Sequence, residues 1–95
     1  MTTTLIRGAA IIDGTESPRY RGNVVIDGDR IAAITQDAPA TDEVIDAEGL
    51  VLTPGFIDMH AHSDLQILLN PAHPSRITQG VTTEVLGQDG LSYAP

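Results

Sequence analysis

The stretch Pro54-Gly55-Phe56-Ile57-Asp58-Met59-His60-Ala61-His62 decides how the rest of the chain is read. A short run of strand character, Phe56-Ile57-Asp58-Met59, leads directly into two histidines separated by one residue. In a strand successive side chains alternate faces, so residues two apart project to the same side, with β-carbons ~6 to 7 Å apart. Two neutral imidazoles so placed can aim ring nitrogens at one metal ion, at bond lengths of ~2.0 to 2.1 Å. A bare His-x-His pair is a weak motif, because most such pairs are exposed or hydrogen-bonded histidines. Here the context strengthens it. The pair stands where a buried parallel strand would end, and the chain carries only three histidines. The C-terminal ends of strands are where (β/α)-barrel enzymes place their sites.

Downstream, residues 65–69 form a short apolar piece, and the segment 70–74 holds Pro71 and Pro74, so it cannot be mid-helix. Pro74-Ser75 opens one helical turn through Gln79, with Gly80 as its stop. Residues 81–86 are rich in Val and Thr and read as a second strand, closed by Gly87. Strand, short connection, strand is a βαβ pattern.

Upstream the grammar differs, and residues 1–54 read as short antiparallel strands. Residues 5–7 and 10–12 are apolar pieces separated by Gly8 and followed by the turn dipeptide Asp13-Gly14. Residues 16–22, with Pro18 and two arginines, suit an exposed loop. Asn23-Val24-Val25-Ile26, then Asp27-Gly28-Asp29, then Arg30-Ile31-Ala32-Ala33-Ile34 predicts a β-hairpin, because Gly accepts the positive φ of a tight primed turn. A loop over 36–42 and short strands at 43–46 and 50–52 complete this half. The change of pattern at Pro54-Gly55 is the candidate domain boundary.

Composition narrows the function. The 95 residues carry 5 Arg+Lys against 13 Asp+Glu, a formal net charge of -8. Nucleic acid and anionic membrane surfaces both require cationic side chains, so neither is an expected partner. Cysteine is absent, which excludes a disulfide framework, a thiolate nucleophile and a Cys-ligated zinc finger. With 41% hydrophobic residues and only three aromatics, Tyr20, Phe56 and Tyr93, the expected core is aliphatic. No stretch approaches ~18 apolar residues, and a cytoplasmic location is the default expectation.

The quoted motif closely resembles the first barrel strand of the amidohydrolase superfamily of metal-dependent hydrolases. The upstream hairpins are similar to that superfamily's N-terminal β-sandwich strands. Ile77-Thr78-Gln79-Gly80-Val81-Thr82-Thr83, followed by Gly87-Gln88-Asp89-Gly90-Leu91-Ser92-Tyr93-Ala94-Pro95, is similar to the N-acyl-D-amino-acid deacylase (D-aminoacylase) branch. The resemblance implies an α/β protein, mostly β in this portion. Residues 1–54 would belong to the β-sandwich, and residues 55–95 would supply the first two strands of a (β/α)₈ barrel. Such a barrel needs about 200 residues or more, so these residues open it without closing it.

The resemblance also implies one or two divalent metal ions, zinc first, with His60 and His62 as ligands of the more buried position. Where the deacylase branch usually has a metal-binding Cys, this chain has Asp89, between Gln88 and Gly90. A carboxylate can replace a thiolate as a ligand, but it is harder and shifts metal preference. The implied activity is hydrolysis of a C–N amide bond in an N-acyl-D-amino acid, the metal activating water and polarising the carbonyl. The family's proton-shuttling Asp falls on the last barrel strand, so no catalytic residue is assigned within these residues, and the chain alone is expected to be inactive. The bridging lysine of many amidohydrolases also falls on a later strand, so the absence of lysine here carries no message.

Other residues are weighed on chemistry alone. Asp64 reads as a solvated loop carboxylate, with imidazole orientation as its alternative. His73, between Ala72 and Pro74, reads as exposed rather than as a ligand. Asp58 serves either as support for the ligands or as a strand-end hydrogen-bond acceptor. Gly87 and Gly90 bracket Asp89 and suit positive φ or close backbone approach. Ser92 and Tyr93 have no base beside them in sequence and are not read as nucleophiles. The expected partner is a small-molecule amide, and unpaired strand edges favour association into a homo-oligomer or poor order in isolation. Two alternatives stand: a cyclic amide or ureide hydrolase of the same superfamily, and a stand-alone β-rich binding module in which the histidines are incidental.

Overall fold

The computed structural model describes residues 1–92, so Tyr93, Ala94 and Pro95 lie outside the described residues, and with them the reading of Tyr93. The chain divides into two compact units, Met1–Pro54 and Gly55–Pro95. Among the described residues no helix is long and apolar enough to cross a membrane.

The first unit is one five-stranded sheet built around β1 (Thr3–Ile11). Antiparallel to it runs β2 (Tyr20–Asp27), which pairs in turn with β3 (Arg30–Thr35). The expected hairpin is present: Asp27 pairs with Arg30, and Gly28 turns the chain at φ 59°. Two expectations are corrected here. Residues 5–7 and 10–11 of the two apolar pieces belong to one continuous strand, with Ile12 just beyond it, and β2 begins at Tyr20, inside the segment read as a loop.

A third correction concerns direction. β4 (Glu43–Asp46) and β5 (Val51–Leu52) pair with β1 in parallel, not antiparallel. The segment 36–42 carries the chain from β3, at one edge of the sheet, to the far side of β1. Asp42 fixes the landing, since its carboxylate accepts bonds from the Thr3 backbone N–H at 2.7 Å and the Thr3 hydroxyl at 2.8 Å. The register Thr4 to Glu43 follows directly from that anchor.

Why β1 reads as two pieces is visible at Gly8. Between the pairs Ile6–Val24 and Ala9–Gly22, two β1 residues oppose the single residue Asn23. Gly8 takes φ 75°, and its buried N–H donates to Asn23 Oδ1 at 2.8 Å. Such a bulge inserts one residue and shifts the alternation of faces beyond it. Ile6 therefore shares a face with Ala9 and Ile11, and these pack with Val24, Ala47 and Leu52 into an aliphatic core. Full burial of each large aliphatic side chain stabilises by about 1.5–3 kcal/mol.

The second unit is a βαβ arrangement. β6 (Phe56–Asp58) and β7 (Val81–Glu84) are parallel, joined through α1 (Asp64–Leu69) and the single turn α2 (Pro74–Ile77). The apolar piece 65–69 is thus helical, opened by Asp64 in its first turn. Gly55, just before β6, allows the closest approach of the two strands: a β-carbon there would overlap Thr82 Oγ1 and Cγ2 and lie 2.7 Å from Thr82 Cβ. Among the described residues, Ala61 is the one buried apolar side chain in this unit, while Phe56, Ile57 and Met59 are exposed.

Candidate metal centre

β6 ends at Asp58, so His60 and His62 stand just beyond the strand rather than within it. The ladder nevertheless carries on past both strand ends, with Val85 N–H donating to the Asp58 carbonyl at 2.8 Å and Ala61 N–H to the Val85 carbonyl at 3.2 Å. The chain bends at Met59 and His60 between these two bonds, which tie the segment to the exit of β7. The ring centroids of His60 and His62 are 5.1 Å apart, edge to face at 70°.

The third member arrives from the exit of β7. Asp89 sits in a 3-10 turn, Gln88–Gly90, in the left-handed region at φ 59°, ψ 20°. Asp tolerates that region better than most non-glycine residues, and Gly87 and Gly90 on either side also have positive φ. The tight reversal turns the Asp89 carboxylate back toward the histidines. Its Oδ2 lies 2.8 Å from His60 Nε2 and 3.5 Å from His62 Nε2. One ligand atom from each of His60, His62 and Asp89 falls within 4.8 Å of the others.

Two nitrogens and one carboxylate oxygen converging in this way suit a divalent metal of the zinc type, which takes His nitrogen and carboxylate oxygen together. All three groups are solvent-exposed, which leaves them open to an ion or a small molecule. An open cleft beside them is lined by His60, His62, Ser63, Gln66 and Arg76 among others.

Beneath the ligands lies a set of ion pairs that reading the sequence missed. Asp58 accepts the His60 backbone N–H on Oδ1 at 3.0 Å and Arg76 Nη1 on Oδ2 at 3.0 Å. The strand-end hydrogen bond expected of Asp58 is thus formed. Arg76 Nε also lies 3.3 Å from Glu84 Oε1, and His73 Nε2 lies 3.2 Å from the same oxygen. His73 is therefore not exposed: its side chain is 18% accessible and tied to Glu84. His73, directly before Pro74, takes a left-handed conformation at φ 43°, where a residue before proline ordinarily adopts an extended one. Asp64, the first residue of α1, accepts the Ser92 hydroxyl at 3.3 Å, and both residues line a pocket together with His62.

Known proteins resemble this chain over most of its length. The model of the amidohydrolase family matches residues 43–94. An N-acyl-D-aspartate deacylase from Alcaligenes xylosoxydans xylosoxydans is 45% identical over 92 residues, 96% of this chain and 18% of the relative. A D-aminoacylase structure, from work on its binuclear metal centre, superposes with a TM-score of 0.92 at 41% identity, covering 100% of this chain and 20% of that one. The N-acyl-D-glutamate deacylase of Bordetella bronchiseptica, complexed with zinc and a phosphonate mimic of the tetrahedral intermediate, gives 0.90 at 41% identity over 99% of this chain and 20% of its own. The chain thus spans about a fifth of the length of the relatives it matches.

Proposed function

Because the chain belongs to the amidohydrolase family, we propose that the whole protein carrying it is a metal-dependent amidohydrolase that cleaves the amide C–N bond of N-acyl-D-amino acids. The observation that carries this reading is the convergence of His60, His62 and Asp89, whose ligand atoms lie within 4.8 Å of one another. The deacylase relatives, one of them complexed with zinc, support both the substrate class and the metal. In this reading residues 1–54 contribute to a β-sandwich and residues 55–95 begin the (β/α)₈ barrel. The ligands then stand at the C-terminal end of its first two strands, where barrel enzymes build their sites.

His60 and His62 would hold the ion through Nε2, and Asp89 through Oδ2. A bound divalent ion supplies Lewis acidity toward water and toward an amide carbonyl. The residues of this chain build the place for it. Asp58 fixes the His60 backbone, the left-handed turn at Asp89 aims its carboxylate, and the β6–β7 ladder keeps both arms side by side. Asp89 contributes a harder donor than a thiolate, which favours zinc and other borderline or hard divalent ions over soft ones.

The test is hydrolysis by the whole protein loaded with zinc, offered N-acetyl-D-amino acids and, in parallel, cyclic ureides. Release of free D-amino acid is expected. Turnover of cyclic ureides alone would reject the deacylase assignment, and hydrolysis of neither would reject the enzyme.

A further inference from the structure

Asp58 and Glu84 are register partners at the ends of two neighbouring parallel strands. Two like charges side by side on adjacent strands repel, and Glu84 is well shielded from water, its side chain only 10% accessible. The guanidinium of Arg76 lies against both, 3.0 Å from Asp58 Oδ2 and 3.3 Å from Glu84 Oε1. Arginine suits this position because its planar fork offers several donors in fixed directions, which a single ammonium does not. The second oxygen of Asp58 is then left to hold the His60 backbone N–H at 3.0 Å. Glu84 stands five residues before Asp89 on the same outgoing segment, so both arms of the candidate metal centre leave from the residues Arg76 joins.

We infer that Arg76 is a positioning residue for the metal centre: by bridging Asp58 and Glu84 it sets the spacing of the two strand ends, and with it the convergence of His60 and Asp89. Its ion pairs are to Asp58 and Glu84 rather than to the ligands. His73, on Glu84 Oε1 at 3.2 Å, closes the same cluster from the turn that opens α2. Without the guanidinium, the Asp58 carboxylate would turn from its neighbour toward water and release the His60 amide, leaving the ligand loop free to open. This inference rests on the proposed metal site, and its test separates the two.

The experiment uses the whole protein stripped of metal. Zinc affinity is measured by competition with a chromophoric chelator, and Co²⁺ is followed through its visible absorption, in the wild type and in Arg76→Gln, Arg76→Lys and Arg76→Gln/Glu84→Gln. Loss of a residue that orients a metal ligand typically weakens metal binding by ~10 to 100-fold. Arg76→Gln is expected to fall in that range with an altered Co²⁺ spectrum, Arg76→Lys to recover part of the loss, and the double variant to recover part by removing the opposed charge. Zinc affinity and a Co²⁺ spectrum equal to wild type in folded Arg76→Gln would overturn the inference and leave the metal site standing. If Arg76→Gln does not fold, Arg76→Lys decides: weakened binding sustains the inference, and wild-type binding overturns it. A wild type that binds neither ion would overturn both the inference and the site.

Discussion

His60 Nε2 and Asp89 Oδ2 are 2.8 Å apart although 29 residues separate them in sequence. The contact joins the outgoing segments of β6 and β7, and with His62 it gathers all three candidate ligand atoms at one point.

Replacing Asp89 removes one of the three candidate donors. Asp89→Ala should weaken zinc binding by the whole protein by ~100-fold or more, at or beyond the upper end of what losing a mere supporting partner costs. Asp89→Cys should retain binding, shift preference toward softer ions, and add a sulfur-to-metal charge-transfer band to the Co²⁺ spectrum. Chelator competition and absorption spectra check both.

A methyl group at Gly55 has no room beside Thr82. Gly55→Ala should destabilise the pairing of β6 and β7 by about 1–3 kcal/mol, the usual cost of overpacking. Thr82→Gly in the same chain should restore part of the loss, whereas Thr82→Ala should restore less, because the Thr82 Cβ that lies at 2.7 Å would remain. Amide hydrogen exchange across Phe56–Asp58 and Val81–Glu84 is the measurement.

Asn23 is buried and uses both ends of its amide. Its Oδ1 takes the Gly8 N–H, and its Nδ2 donates to the carbonyls of Gln36 and Asp37 at 3.2 and 2.9 Å. Asn23→Ala should cost about 1–3 kcal/mol for the buried N–H alone, read by denaturant unfolding of residues 1–54. Asn23→Asp should be destabilising too, since a carboxylate cannot donate to the two carbonyls.

Acid should loosen the first unit. Hydrogen bonds from the Thr3 backbone and then its hydroxyl hold the Asp42 carboxyl below the usual carboxylate range, and the Glu48 backbone N–H followed by Arg7 does the same for Asp46. A folded pKa below the unfolded value, about 3.9 for Asp, means a contribution fully present above that value and lost as pH falls through the lowered one. Both groups are exposed and the effect is accordingly modest. The thermal midpoint should drop as pH falls from about 5 to 3, with a shallower slope in Asp42→Asn.

How much of this was legible in the sequence depends on whether the signal is local. The Asp27-Gly28 hairpin is written in adjacent residues and forms as expected; the pair His60 and His62 is equally local, and its two imidazoles stand as neighbours just beyond β6. Asp89 was recognisable only through family likeness, because its role depends on a left-handed turn that brings it back across 29 residues. The bulge at Gly8 was hidden because a break in alternation looks the same as the end of a strand. The parallel direction of β4 depends on a crossover anchored by Thr3 and Asp42, 39 residues apart, for which no local pattern exists. Arg76 and His73 were missed for a related reason: charged residues in a proline-rich connection resemble a solvated loop until the fold sets them against Asp58 and Glu84 at two strand ends.

The proposed metal centre requires that His60, His62 and Asp89 bind one metal ion. Anomalous X-ray diffraction at the zinc absorption edge, from crystals of the whole protein grown with zinc, tests it most directly. A peak about 2.0–2.2 Å from the Nε2 atoms of His60 and His62 and from an Asp89 carboxylate oxygen is predicted. A zinc-loaded crystal with no anomalous density between these three side chains would contradict it.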